Sequence, residues 1–285
     1  MFSGDGHASR DTGLLIASSL DGIHFRNIQS SPDPVYLPPG GLRDPIVQFW
    51  RGCWYLLYTY GPNTRPLVIM AKSANLLDWE LVTSLRLAQD SANNYIDVPQ
   101  WIVDPTGALH IIACVDDTHN WAEIHPLSCN PANWGDPANW SAVSTLTDYA
   151  GAPLVQGNSF VTCRGGVYSM AFNEMQSTGY FLRTSTNLIS GWSAPRSLPL
   201  DSTVNYGDSE NLVVLSDDSL RFYISNGNTL RKVIWFVDSS DQGARWTSPQ
   251  AVQFSGFDPA EINWAQFVRI SEPAAIANLV NLWQA

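Results

Sequence analysis

"SSDQGARW", residues Ser239–Trp246, reads S-x-D-x-G-x-x-W. This is the pattern of an Asp-box turn, in which short polar side chains bond the turn's own backbone. Related stretches lie upstream: "SLDGIHF" (Ser19–Phe25), "SANLLDW" (Ser73–Trp79), "SCNPANW" (Ser128–Trp134) and "STNLISGW" (Ser185–Trp192). The leading serines step by 54, 55, 57 and 54 residues. Self-similarity at such a period signals a repeat architecture.

Between the turns runs a second recurring unit, an apolar strand, a tight turn and another apolar strand. The copies are "DPIVQFWRGCWYLLYT", "VPQWIVDPTGALHIIAC", "NSFVTCRGGVYSMAFN" and "SENLVVLSDDSLRFYIS". Their turns, Arg51-Gly52, Thr106-Gly107, Gly165-Gly166 and Asp217-Asp218, suit β-hairpins. A degenerate fifth copy starts at "NWAQFVRI" (Asn263–Ile270) and is expected to continue as strand through "IANLVNLW". Four short strands per period, with no helix between them, make propeller blades. The expected fold is therefore all-β: a five-bladed β-propeller spanning residues 1–285 as one domain. The first turn copy lacks a preceding hairpin and the last hairpin lacks a following turn. The N- and C-terminal strands should thus share one closing blade.

Composition agrees. Of 285 residues 45% are apolar, only 14% are charged, and 12 are tryptophan, enough for a large aromatic core or an aromatic-lined cleft. A net charge of −11 argues against nucleic acid and anionic membrane as partners. No apolar run reaches the roughly 20 residues of a membrane span. The opening "MFSGDGHASRDTG" lacks the pattern of a secretory signal. That leaves two compartments open, the cytoplasm or the exterior after signal removal. The four cysteines show no CxxC spacing, so a metal cluster built on them is not expected, and one disulfide stays open.

The inner strands of a propeller line its central channel. Counting ten residues back from Trp54, Leu109, Val167 and Leu220 reaches Asp44, Pro99, Gly157 and Glu210. Asp44 and Glu210 are then expected to face each other across the channel mouth. Two carboxylates across a sugar-sized cleft are what glycoside hydrolysis needs. Each has a plainer reading, Asp44 as an Asp-Pro turn residue and Glu210 as a solvated acid in a polar loop.

At these residues the chain resembles glycoside hydrolase family 43 and its relatives, five-bladed β-propeller enzymes acting on arabinan, xylan and similar glycans. The resemblance implies that Asp44, in "RDPIVQFW", is the general base and Glu210, in "SENLVVL", the general acid, with Asp208 an alternative. "DVPQW" resembles the W-A-P-[DE] segment of blade two, with Gln100 in the acid's place. In "QGNSFV", Asn158 stands where the family has an aspartate that raises the acid's pKa, so Asp97 or Glu174 must supply that charge or catalysis is weakened or lost.

Arg43 is a candidate for a substrate hydroxyl, for fixing the base, or for plain surface. Tyr95 and Trp101 could form a sugar-stacking platform, though Trp101 also suits the core. His119 and His125 fall in a loop after the second hairpin, where solvated histidines are the rule. The inserted stretch Thr118–Trp140 is expected to shape one side of the cleft. No cofactor is required, and the family leaves room for a structural calcium near the axis. The expected activity is hydrolysis, with inversion, of an arabinose-, xylose- or related-sugar-containing oligo- or polysaccharide. The alternatives are a catalytically silent glycan-binding propeller and a glycosyl-transferring or phosphorolytic enzyme.

Overall fold

The computed structural model describes residues 2–4, 13–31, 33–60, 67–87, 96–115, 119–173, 179–200, 210–225, 233–256 and 262–284. Four antiparallel four-stranded sheets follow one another along the chain. Their innermost strands are Leu42–Trp50, Ile96–Val103, Ser159–Arg164 and Glu210–Val214. Consecutive strands pair side by side, and the inner strands of adjacent blades lie against each other around the ring. Inner strands are covered on both sides, so they read as nearly continuous apolar runs instead of alternating. Leu42–Trp50 is buried at all but two positions.

The inner hairpins use two kinds of turn. Arg51-Gly52 and Gly165-Gly166 are two-residue turns with φ of +49° and +85°, and +56° and +81°. Positive φ at both positions matches the right-handed twist of the flanking strands. Blades two and four use longer loops over 104–108 and 215–219. In these, Asp104 Oδ1 accepts from the Thr106 and Ala108 amides at 2.8 Å each, and Asp217 Oδ1 accepts from the Ser219 amide at 3.0 Å.

The five Ser-to-aromatic segments form the expected side-chain-supported turns. Ser239 Oγ donates to Asp241 Oδ1 and accepts from the Gly243 amide at 2.8 Å. Asn75 Oδ1 accepts from the Leu77 and Asp78 amides, and Asn187 Oδ1 from those of Ile189 and Ser190. Asp21 Oδ1 and Asn130 Oδ1 hold their turns in the same way. In four copies the tryptophan Nε1 donates to a backbone carbonyl of the same turn: Trp79 to Leu76, Trp134 to Ser128, Trp192 to Leu188 and Trp246 to Gly243. Trp134 and Trp192 are fully buried.

The fifth blade closes the ring with both ends of the chain. Its inner strand Ile262–Ala265 pairs antiparallel with Phe2–Gly4 (Phe2 opposite Ala265), and Phe2–Gly4 with Leu14–Leu15. The chain passes Ile16 into Ala17–Ser18, which pairs with His24–Asn27, and Gln253–Ser255 adds a parallel edge to the latter.

Two expectations are corrected. "IANLVNLW" is not a strand but part of a helix, Pro273–Gln284. Pro273 suits a first helical position, where its missing N–H costs nothing. Ala275, Leu279 and Leu282 recur at helical spacing and pack on the cluster containing Leu14, Phe49 and Leu56. Most of the described part of the stretch Thr118–Trp140 is not a cleft loop either, although its start at His119–Asn120 lies at the Asp97 end of blade two. It contains blade two's third strand, Asn120–Ile124, and the turn after it. Trp134 stacks on Trp50 at 5.1 Å between ring centroids, at the end of the inner strand remote from Asp44.

Candidate active site at the channel mouth

The first two inner strands carry matching irregularities. In blade one, Arg43 pairs with Thr59 and Ile46 with Leu57, so Asp44 and Pro45 together oppose Tyr58. In blade two, Asp97 pairs with Cys114 and Gln100 with Ile112, leaving Val98 and Pro99 opposite Ala113. Each is a β-bulge next to a proline, which has no N–H to give the ladder. The residue before each proline sits at positive φ, +50° at Asp44 and +49° at Val98. Aspartate tolerates that conformation, whereas a β-branched valine there is strained by about 1–3 kcal/mol.

The paired bulges bring their charges together. Asp44, 4% exposed, accepts from the Val98 amide at 3.4 Å and from Thr59 Oγ1 at 3.5 Å, both through Oδ2. Its carboxyl lies beside that of Asp97. Arg43 Nη2 lies 3.4 Å from Asp97 Oδ1. Burial pushes the Asp44 pKa well above the ordinary carboxylate value, and the negative charge of Asp97 adds to this. Arg43 and the Val98 amide offset part of the rise. A buried carboxyl beside a like charge gives up its proton less readily than a solvated one. Three residues singled out from the sequence thus meet in one cluster, and Asp97 stands beside the expected base.

The other candidates lie elsewhere. Glu210 opens the inner strand of blade four opposite Ile224, in register with Asp44–Pro45 opposite Tyr58; its side chain lies outside the described residues. Tyr95, Glu174 and Asp208 also lie outside them. The blade-three register is corrected. Val167 follows its two-residue turn directly, whereas Trp54 is one residue further on, and Ser159–Arg164 lacks the bulge of blade one, so a count of ten lands early, on Gly157. In the pairing, Phe160 opposite Ala171 holds the equivalent place. Asn158 sits two residues nearer the strand's start, half-buried, its carbonyl accepting from the Asn173 amide at 3.2 Å.

Gln100 and Trp101 are structural in this arrangement. Gln100 is fully buried; its Oε1 accepts from the Val161 amide at 2.8 Å and its Nε2 donates to the Ser159 carbonyl. No surface remains for a sugar to touch. Asn211, the register equivalent in blade four, does the same to blade five, accepting from Phe267 N at 2.7 Å and donating to Ala265 O at 3.3 Å. Sequence inspection missed this pair because its partners are far away along the chain. Trp101 is 7% exposed and packs edge-on against Tyr55 at 5.9 Å, so it fills the seam between blades one and two.

Among the described residues no three histidine, cysteine or acidic ligands converge at the axis, so no calcium is assigned there. All four cysteines are free thiols. No helix among the described residues is long and apolar enough to cross a membrane.

No family model matches the chain, and no curated protein matches it. Solved structures do. The α-L-arabinofuranosidase PaAbf62A from Podospora anserina, solved with cellotriose, superposes with a TM-score of 0.56 at 12% identity, over 89% of this chain and 85% of that one. An endo-1,4-β-xylanase from Bacteroides thetaiotaomicron gives 0.58 at 14%, over 88% and 90%. An exo-β-1,3-galactanase from Clostridium thermocellum gives 0.61 at 13%, over 88% and 58%. The chain therefore carries the five-bladed β-propeller fold of the family 43-like glycosidases that its sequence resembles.

Proposed function

We propose that this chain is a glycoside hydrolase that cleaves an arabinose-, xylose- or related-sugar-containing glycan with inversion. The observation that carries the reading is the buried Asp44–Asp97 pair, flanked by Arg43, at the inner-strand end of blades one and two. It stands in a fold shared with an arabinofuranosidase, a xylanase and a galactanase.

In this reading Asp44 is the base. Its raised pKa makes it a stronger proton acceptor than a solvated carboxylate, nearer the pH at which general bases are most effective. It takes a proton from water as the oxygen attacks the anomeric carbon. Glu210, in the matching place on blade four, gives a proton to the departing glycosidic oxygen. Asp97 is a positioning residue that holds Asp44 in place and raises its basicity, and Arg43 limits the rise. Inversion needs a separation of roughly 6.5–9.5 Å between acid and base.

The test is hydrolysis of aryl arabinofuranosides, xylosides and galactosides by the wild type, Asp44→Asn and Glu210→Gln, with the anomer of the product followed by NMR. Turnover lost in both variants, with the inverted anomer released first, supports the assignment. Sugar binding without wild-type turnover across the panel would make the chain a silent glycan-binding propeller. Glycosyl transfer to phosphate or another sugar in place of water would make it a transferring enzyme.

A further inference from the structure

The strongest polar cluster outside the channel mouth lies at the opposite end of blade two. His110 belongs to the second strand, Glu123 to the third, and His125 follows that strand directly. Glu123 Oε1 is 2.6 Å from His110 Nδ1 and 2.9 Å from His125 Nδ1. The imidazole rings are tilted by 60° with centroids 5.4 Å apart, so their Nδ1 atoms converge on one oxygen instead of stacking. We infer that His110, Glu123 and His125 bind one zinc-class divalent cation, clipping the second strand of blade two to the third.

Four observations support this. The three ligand atoms already lie within 4.8 Å of one another. Tetrahedral zinc, about 2.0–2.2 Å from its ligands, spaces them roughly 3.3 Å apart, so each Nδ1 need withdraw from Glu123 Oε1 by only about half an ångström to admit the ion. Glu123 is 1% exposed, and its Oε2 is buried with no hydrogen-bond partner among the described residues. A buried carboxylate with an idle oxygen is costly, and a dication compensates it directly.

The outer arrangement also matches a metal centre. Asp104 Oδ2 lies 3.7 Å from His110 Nε2, on the side of the ring away from Glu123. Metal-bound histidines commonly direct their second nitrogen to a carboxylate, which fixes tautomer and ring orientation. Asp104 is itself held rigidly, since its Oδ1 accepts from the Thr106 amide, the Thr106 hydroxyl and the Ala108 amide. Finally, the side chain of His125 is 42% exposed, giving an ion a route from solvent and leaving a fourth position for water.

Two imidazoles and one carboxylate select the metal. Calcium and magnesium want oxygen ligands throughout, whereas N,N,O sets suit zinc and its neighbours. The site is remote from Asp44, so its occupancy can be tested without reference to hydrolysis.

The experiment is calorimetric titration of chelator-treated protein with zinc chloride, and separately with calcium chloride. Cobalt substitution supplies a visible d–d band, and circular dichroism checks folding. Wild type is expected to take up one zinc per chain and no calcium in the same range, with a rise in Tm as zinc is added. His125→Ala, at a half-exposed position, should fold normally, lose at least tenfold in zinc affinity and lose the Tm rise. Asp104→Asn should weaken zinc by roughly 10–100-fold. His24→Ala, at an exposed histidine paired with Asp21, should bind as wild type does. The proposal is overturned if folded wild type takes up no stoichiometric zinc, or if His125→Ala and His110→Ala bind it as tightly as wild type.

Discussion

The inner strands of blades one and two begin differently from those of blades three and four. Blades one and two each spend two residues opposite one, break the ladder at an Xaa-Pro pair and hold a non-glycine residue at positive φ. Blades three and four pair residue for residue from Ser159 and from Glu210. The Asp44–Asp97–Arg43 cluster stands where the ladder is broken. A bulge re-aims side chains that a regular strand would send elsewhere, and here two adjacent bulges aim at each other. The strain in Val98 has a use, because its amide points to Asp44.

Substitution of the cluster tests this contrast most severely. Asp44→Asn keeps the shape of the bulge and removes the carboxylate proposed as the base, so under that proposal kcat/KM on the best glycoside should fall by about 10²–10⁴-fold or more with the fold intact by circular dichroism. The next effect concerns what the two halves share. Gln100→Leu and Asn211→Leu each strand buried backbone groups of the following blade, and each should cost about 1–3 kcal/mol in urea unfolding. Equal losses are expected although only Gln100 belongs to a bulged blade. A large loss for Gln100→Leu alone would mean that the bulges, not the ring seams, carry the stability.

Titration sharpens the comparison further. The folded-state pKa of Asp44 is raised, so its contribution to stability is fully present below the ordinary carboxylate value of 3.8 and is lost as pH climbs through the folded pKa. Unfolding free energy of the wild type should therefore fall relative to Asp44→Asn as pH rises above 3.8, and a constant difference would contradict the burial argument. Arg43→Met removes the charge that restrains the rise, so the acid limb of the pH–rate profile should move upward. The smallest effect belongs to the turns. Ser239→Ala deletes one turn hydroxyl and should cost about 1 kcal/mol by urea unfolding, with activity unchanged.

Much of the ring was readable because each blade repeats its own chemistry within one period. Ser239, Asp241 and Trp246 act on the same turn, and Gly165-Gly166 decides a hairpin locally. The closing blade breaks the pattern, and there Ala275, Leu279 and Leu282 kept a helical spacing that the repeat obscured. Asp44 was conspicuous through its proline. Its partnership with Asp97 was not, since it depends on bulges in two strands that no count along the chain reveals. Gln100 looked like a displaced acid because its real partners, Ser159 and Val161, belong to another blade. The count that placed Asn158 failed differently, because it includes the bulge residue of blade one, which the regular strand of blade three lacks.

The pairing of Phe2 with Ala265 bears on how the molecule is made. Four blades consist of neighbours in sequence and can assemble as they emerge from the ribosome. The fifth cannot, because its first strand is synthesised long before its inner one. The segment around Phe2 must wait, its ladder edge unpaired, while the rest of the ring is built. Joining such distant segments carries the largest loop-closure entropy in the chain, which makes ring closure the natural slow step of folding. Until then that open edge can pair with a strand of another chain.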